Sequence, residues 1–374
     1  MSPVDAPAGA TGVIRIDLAT LAANWRSLAD LVRPAECAAV VKADAYGLGV
    51  TRVAPALAAA GCRTFFVATL AEAETCRQLL PGATLYVLDG LLPGSAEALA
   101  AIDARPVLSS LAEVCDWVGH HGDDETRPAA LHVDTGLNRL GMSAGEVRAL
   151  AADGHLLDRL QVSLVMSHLA CADEPASPKS RQQRDVFEQL RPLLPSVPAS
   201  LAASDGLMLG PDFHYDLVRP GYALYGGQAS VGRTTPVAPV ISVHARILQV
   251  HDVAPGQTVG YAASYRVARP SRIATIAAGY ADGVPRQASA ASGEAGGRVA
   301  IDGIPCPIVG RVSMDLVTVD VTDLPRPPQV GDLAELIGDT LTLEDVGRAA
   351  GTIGYEVLTR LGHRFHRVYL GAGG

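Results

Sequence analysis

Two side chains of this protein can offer a neutral amine to a reaction. Of the 30 basic residues in the 374-residue chain, all but Lys42 and Lys179 are arginine, whose guanidinium stays protonated across the working range of proteins. Lys42 closes an unbroken apolar run at residues 37–41 and is followed by Ala-Asp-Ala-Tyr46-Gly47. Such a run reads as a strand buried on both faces. In parallel α/β folds the carboxyl ends of strands face the active site. Partial burial there penalises the ammonium form, lowers the amine pKa and makes the nitrogen a usable nucleophile. A lysine at a strand end can equally lay its stem along apolar surface with its head in water. Position alone leaves both readings open.

The same placement recurs along the chain. An apolar run at 129–133 leads into Asp134 and Arg139, one at 162–166 into Ser167 and His168, and one at 199–202 into Ser204. Further on, Asp216-Leu-Val leads to Arg219, Pro220, Gly221 and Tyr222. Polar ends repeated in this way favour a single site at one end of a parallel sheet. A serine hydroxyl beside the free N–H groups of a glycine-containing turn supplies the parts of a phosphate cradle. A reactive amine together with a phosphate cradle points to pyridoxal phosphate (PLP) as cofactor.

The elements that would position these residues follow from periodicity. Residues 12–17 read as a strand, and Leu18, Leu21, Trp25, Leu28 and Val32 recur behind it at helical spacing. Apolar runs at 37–41, 64–68, 84–88, 129–133, 162–166 and 199–202 alternate with helix-like stretches. Their spacing of roughly 20–35 residues is the signature of repeated β-α-β units. Residues 12–240 therefore form one α/β domain, and a doubly wound sheet and a closed barrel both fit the pattern. Beyond it the texture changes. Strand candidates at 241–250, 258–265, 273–278, 298–301, 308–312, 316–321 and 333–337 are punctuated by Gly, Pro and Asp. Helices are expected only at 343–350 and 355–361. This reads as a mainly β domain over 241–374, with residues 1–11 as a candidate addition to it and a Gly-rich linker at 226–232.

Composition bounds the classes of function. With 48% apolar and 18% charged residues and a net charge of −9, the chain can bury a large core. It lacks the basic surface of a nucleic-acid or polybasic membrane binder. No stretch approaches ~20 consecutive apolar residues. The amino-terminal MSPVDAPAGATG has neither the basic nor the apolar region of a secretory signal, so a cytoplasmic location is expected. The six cysteines are scattered, with no Cys-x-x-Cys and no Cys/His cluster at ligand spacing. That argues against a disulfide framework and against a bound metal.

Taken in order, the segments resemble those of the alanine racemases, PLP-dependent enzymes with an N-terminal (β/α)8 TIM-type barrel and a C-terminal mainly-β domain. The resemblance rests on VVKADAYG at 40–47, DTGLNRLG at 134–141, MSHLACADE at 166–174 and VRPGYALYG at 218–226. It continues in GYAASY at 260–265, GYADG at 279–283, VGRVSMD at 309–315 and GTIGYEVL at 351–358, and so spans essentially the whole chain.

What the resemblance implies is specific to residues. Lys42 would hold PLP covalently and act as one of two catalytic bases; the other would be Tyr265 of the partner subunit in a homodimer. Tyr46, Ser204, Gly221, Tyr222 and Tyr355 would hold the phosphate. His168 would pack against the pyridine ring, and Arg219 would donate to the ring nitrogen. Arg139 and the backbone of Met314 would receive the substrate carboxylate, while Asp173 and Arg311 would line the entrance. The implied reaction interconverts L-alanine and D-alanine and supplies D-alanine for peptidoglycan. Inverting a carbon centre needs a base on each face, and Lys42 and Tyr265 are chemically suited. An arginine at the ring nitrogen stays charged, so it leaves that nitrogen unprotonated and the ring a weaker electron sink, which suppresses side reactions.

Three positions depart from the family pattern. His132 stands where many members carry a lysine, Ala203 where Asn commonly precedes the phosphate-binding serine, and Gly354 where Asn commonly precedes the tyrosine. His132 is expected to titrate near the ordinary imidazole value of about 6.5, weakening substrate binding in acid. A broad-specificity or serine racemase on the same scaffold is the alternative enzyme, and a non-catalytic PLP carrier the alternative of another class. The 130-residue region bearing Tyr265 argues against a carrier built on the barrel alone. Related decarboxylases need an acidic partner at the ring nitrogen, which Arg219 does not supply.

Overall fold

Phe65 and Phe66 lie side by side on the strand Thr64–Val67, and both are fully shielded from solvent. Adjacent strand residues point to opposite faces, so this strand must be covered on both sides. The structure is a computed structural model that describes residues 7–120, 126–228 and 235–371. The chain divides into two compact units, one formed mainly by Leu21–Leu224, the other by residues 7–20 with 238–371.

In the first unit seven strands pair in parallel and in chain order: Ala39–Val40, Thr64–Val67, Thr84–Val87, Ala104–Leu108, Pro128–His132, Gln161–Met166 and Ala199–Ser200. Leu217–Val218 then pairs in parallel with Glu36–Cys37, just ahead of the first of them, while Arg219 bridges to Ala203 beyond the last. The ring closes. The unit is a (β/α)8 barrel, and of the two architectures the periodicity allowed, the doubly wound sheet falls away. Its interior is filled in layers. Phe66 stacks on Tyr86 with ring centroids 4.9 Å apart, and the Tyr86 hydroxyl shares a hydrogen bond with Ser163 Oγ at 3.1 Å. Helices between the strands are started by local chemistry. Thr69 with Glu72 and Ser143 with Glu146 form reciprocal capping boxes ahead of Leu70–Leu79 and Ala144–Ala152.

The second unit is mainly β. Its longest strand, Ile241–Val253, pairs antiparallel with Gly12–Asp17, Leu333–Ile337 and Ser271–Ile276. The strand Gly12–Asp17 is thus not a barrel strand, although it precedes the barrel in sequence. Its neighbours are Ile241–Val253 on one side and His366–Leu370 on the other. A Cβ on Gly12 would collide with the Phe365 ring and the His244 carbonyl. An apolar strand pattern carries no record of its partner, which is why position in the chain misleads here.

Other differences are local. The strand expected at 258–265 is a hairpin, Thr258–Val259 with Tyr265–Arg266, around a 3-10 turn at Tyr261–Ala263. Ala262 and Ala263 take φ of 59° and 49° there, which no extended strand allows. The run at 308–312 contributes only isolated bridges, Ile308 to Val319 and Gly310 to Ala290, the strand lying earlier at Ile304–Pro307. Residues 229–232 of the expected linker, and 1–6 of the amino-terminal segment, lie outside the described residues. No described helix is long and apolar enough to cross a membrane.

Candidate active site

Lys42 follows the strand Ala39–Val40 and begins a turn of the wrong hand for L-residues. Ala43, Asp44, Ala45 and Tyr46 all have φ between 53° and 56°, and Gly47 follows at 81°. The Gly47 N–H closes this turn on the Ala43 carbonyl at 2.8 Å. Left-handed backbone costs roughly 1–2 kcal/mol per non-glycine residue, so the surrounding structure must hold it. Glu72 does so from the helix Leu70–Leu79, its Oε1 accepting the Ala43 N–H and its Oε2 the Ala68 N–H, both at 2.7 Å. Asp44 Oδ1 accepts the Val50 N–H at 2.7 Å and caps the helix Val50–Ala60. Charge-assisted bonds of this kind contribute about 1.5–3 kcal/mol each. Strain of this sort concentrates at functional sites.

The Lys42 amine is half-buried. Burial lowers its pKa, Arg139 and Arg219 add to the lowering, and Asp89 and Glu72 oppose it. Arg219 is only 3% exposed. Its guanidinium donates to Ser200 Oγ at 2.5 Å and to the Ser167 carbonyl at 2.7 Å. Phe66 lies 6.0 Å beneath its carbon. No carboxylate pairs with Arg219 among the described residues, and burial pushes its pKa down to about 9, still protonated at neutral pH. A buried cation held only by neutral acceptors is costly. It therefore points to a further partner. His168 Nδ1 lies 3.4 Å from the same guanidinium. Burial first, then Arg219 and Arg139, push the His168 pKa down to about 3, so its ring is neutral.

Ser204, 6% exposed, accepts the N–H groups of Gly221 and Ala223 on Oγ at 3.0 and 3.1 Å. Tyr222 opens the short 3-10 turn Tyr222–Tyr225. A Cβ on Gly221 would collide with the Tyr46 hydroxyl, so glycine lets the turn approach the phenol closely. The Tyr46 side chain is buried, which raises its pKa and keeps it a neutral donor.

Asp134 organises the loop that ends in Arg139. Its Oδ1 accepts the N–H groups of Gly136, Leu137 and Asn138 at 2.8, 3.1 and 3.1 Å. Arg139 itself is exposed and makes no hydrogen bond or ion pair among the described residues. Asp173 is likewise exposed. His132 is 7% exposed and lies 3.4 Å from Ser109 Oγ. Burial, then Arg219, drive its pKa down to about 4 with Asp134 opposing. The expectation of an imidazole titrating near the ordinary value is thus corrected: its site is too dry and too close to guanidinium groups. Lys179, the other lysine, opens the helix Lys179–Leu190.

The remaining expected residues belong to the second unit. Tyr265 packs against the cluster of Val253, Val259, Val267, Ile273 and Val309. Arg311 is exposed, and its backbone passes beside Gly260, at the start of the turn that leads to Tyr265. The Met314 carbonyl accepts the Ala281 N–H at 3.0 Å, while its own N–H has no partner among the described residues. Arg364 locks this corner, donating to both oxygens of buried Asp282 at 2.8 and 2.6 Å and to Asp315 at 2.6 Å. Tyr355 lies on the short helix Gly354–Thr359.

Sequence reasoning passed over Glu72, Thr135 and Gln183. Glu72 had a signal, the Thr-x-x-Glu capping box at 69–72, but its second bond to the Lys42 turn has none.

Models of known families match both parts of the chain: "Alanine racemase, N-terminal domain" over residues 16–229 and "Alanine racemase, C-terminal domain" over 240–369. An alanine racemase of Methylobacterium nodulans is 51% identical over 96% of this chain and 95% of its own length. A catabolic alanine racemase of Mesorhizobium japonicum is 44% identical over 97% and 94%. The crystal structure of alanine racemase from Bartonella henselae, with covalently bound pyridoxal phosphate, aligns with a TM-score of 0.92 at 40% identity, covering 96% of this chain and all of that one. The chain belongs to the alanine racemase family of PLP-dependent isomerases.

Proposed function

We propose that this protein interconverts L-alanine and D-alanine with PLP held on Lys42. One observation carries the reading: a half-buried amine of lowered pKa shares its surroundings with a buried, carboxylate-free guanidinium, Arg219. The donor set fits the cofactor. Ser204 and the turn at Gly221 and Tyr222, with Tyr46 against them, would hold the phosphate, and Tyr355 is a further phosphate ligand in this reading. Neutral His168 would lie against the ring. Arg219 supports the ring-nitrogen role because a guanidinium only donates. When bound, PLP supplies the electron sink that makes the substrate Cα proton acidic.

The chain's own groups do the rest. The Arg139 guanidinium and the open Met314 N–H would receive the substrate carboxylate and orient Cα. Lys42 Nζ would take or return the proton on one face and the phenol oxygen of Tyr265 on the other. Asp173 and Arg311 would line the approach. We place Tyr265 at the site of the other protomer in a homodimer, so the site residue facing Lys42 is Tyr265 of the partner subunit. Exposed apolar groups support such a contact. Tyr261, Tyr280, Met314 and Ile353 of the second unit are 71%, 45%, 53% and 61% exposed, apolar groups that a partner surface would cover. A cytoplasmic protein supplying D-alanine for peptidoglycan is the setting this chemistry fits.

Chiral analysis tests the reading. Enantiomers have equal free energy in achiral solvent, so the purified protein should bring either alanine to a one-to-one mixture. A reaction that stalls away from equality, or accumulates pyruvate in proportion to alanine lost, would reject it.

A further inference from the structure

The helix Lys179–Leu190 buries Ser180, Gln183, Phe187 and Leu190 on one face. That stripe should be apolar, yet Gln183 in its middle is completely shielded from solvent. Its amide is nearly saturated. Oε1 accepts the Ala170 N–H at 2.8 Å, and Nε2 donates to the His168 carbonyl at 2.9 Å and to Thr135 Oγ1 at 3.3 Å. Thr135 Oγ1 in turn shares a hydrogen bond of 2.8 Å with Ser167 Oγ, and the Ser167 carbonyl accepts from Arg219. One side chain therefore joins two loops: the one after Gln161–Met166 that carries His168, and the one after Pro128–His132 that runs through Thr135 to Arg139. Gly136 lies beside the same helix. A Cβ there would lie 4.0 Å from Gln183 Cγ and 2.9 Å from Lys179 Nζ.

We infer that Gln183 is a positioning residue for substrate binding, fixing the loop that presents Arg139 relative to His168 and Arg219. The inference rests on the proposed racemase reading for what those residues do, but the coupling of the two loops does not. A buried amide bonded to both loops makes them one rigid unit, because moving either strands a buried donor or acceptor. The substrate carboxylate would meet an Arg139 already held in place, and little ordering would remain for binding to accomplish.

Two variants test this. Gln183→Leu removes all three bonds, and Thr135→Val removes only the shared hydroxyl while keeping the shape. Each should raise KM for alanine about tenfold or more with kcat changed much less, since a carboxylate anchor out of place weakens binding first. The double variant should add little to Gln183→Leu, because both act through one node. Amide hydrogen exchange should rise together over 134–141 and 167–171 in each variant. A folded Gln183→Leu protein with lowered Tm but unchanged KM would reduce the residue to packing and overturn the inference, as would additive effects. If Gln183→Leu does not fold, Thr135→Val decides alone, and unchanged KM and exchange there are equally fatal. If the wild-type protein proves not to racemise alanine, the functional reading fails, while hydrogen exchange, which needs no substrate, still decides whether Gln183 couples the loops.

Discussion

Lys42 and His132 sit under the same positive charge, and both are held neutral more readily than in water. For Lys42 the consequence is nucleophilicity. Lys42→Ala should abolish the visible absorption of the covalently held cofactor and the racemisation, whereas Lys179→Ala should keep the absorption. An unchanged spectrum in the Lys42 variant would remove the assignment. For His132 the consequence is silence at working pH. Its folded pKa is pushed down to about 4, while an unfolded imidazole takes up its proton near 6.5. Between those values the unfolded chain binds more protons, so stability falls as pH drops through that window, by at most about 1.4 kcal/mol per unit for this group. Tm should fall on acidification from pH 6.5 to 4.5, and by less in His132→Asn. KM for alanine should show no His132-dependent inflection between pH 5.5 and 8; one that vanishes in His132→Asn would contradict the buried neutral ring. Lys42 was legible because a lysine ending an apolar run is visible as such. The His132 shift was not, since Arg219 lies 87 positions away in sequence and only the closed barrel brings the two together.

At the scale of elements, the left-handed turn after Lys42 is the feature least visible in the sequence. Ala43, Asp44, Ala45 and Tyr46 carry no glycine or asparagine to announce it, and only Gly47 and Gly49 hint at unusual backbone. The turn exists because Glu72 and Asp44 satisfy its amides and those of its neighbours. Glu72→Gln leaves a single acceptor oxygen for two N–H groups and puts a donor against one of them. A loss of about 1–3 kcal/mol is expected, or a Tm drop of roughly 2–4 °C per kcal/mol for a unit of this size. Because Glu72 also raises the Lys42 pKa, its removal should lower that pKa further. Reaction of the apoprotein amine with PLP should then set in at lower pH, and a shift to higher pH would contradict the geometry. Six barrel strands were legible as apolar runs, since burial on both faces leaves little alternative, but Ala104–Leu108, broken by Arg105 and Pro106, and the two-residue Leu217–Val218 were not. Gln183 was not: a glutamine within a helical pattern reads as surface, and only packed loops on either side turn it inward.

At the scale of the whole molecule, the two units carry complementary halves of the proposed chemistry. Lys42, Arg219 and Ser204 belong to the barrel, and Tyr265 and Met314 to the mainly-β unit. The division at the strand Gly12–Asp17 could not be read from the chain, because pairing with Ile241–Val253 is a contact between residues more than two hundred apart in sequence. If each site takes Tyr265 from the partner subunit, two inactive proteins can repair one another. Lys42→Ala and Tyr265→Phe, mixed in equal amounts and allowed to exchange subunits, should form heterodimers with one site carrying both lesions and one carrying neither. With random reassortment half the dimers are mixed, and half the sites in those are intact, so about a quarter of wild-type activity should return. The recovery should follow the kinetics of subunit exchange and disappear when the mixed proteins are cross-linked beforehand. A site built within one chain gives no recovery at all, because every site would then keep its own chain's lesion. Mixing with demonstrated exchange and no returned activity would therefore place Lys42 and Tyr265 of a single chain in the same site.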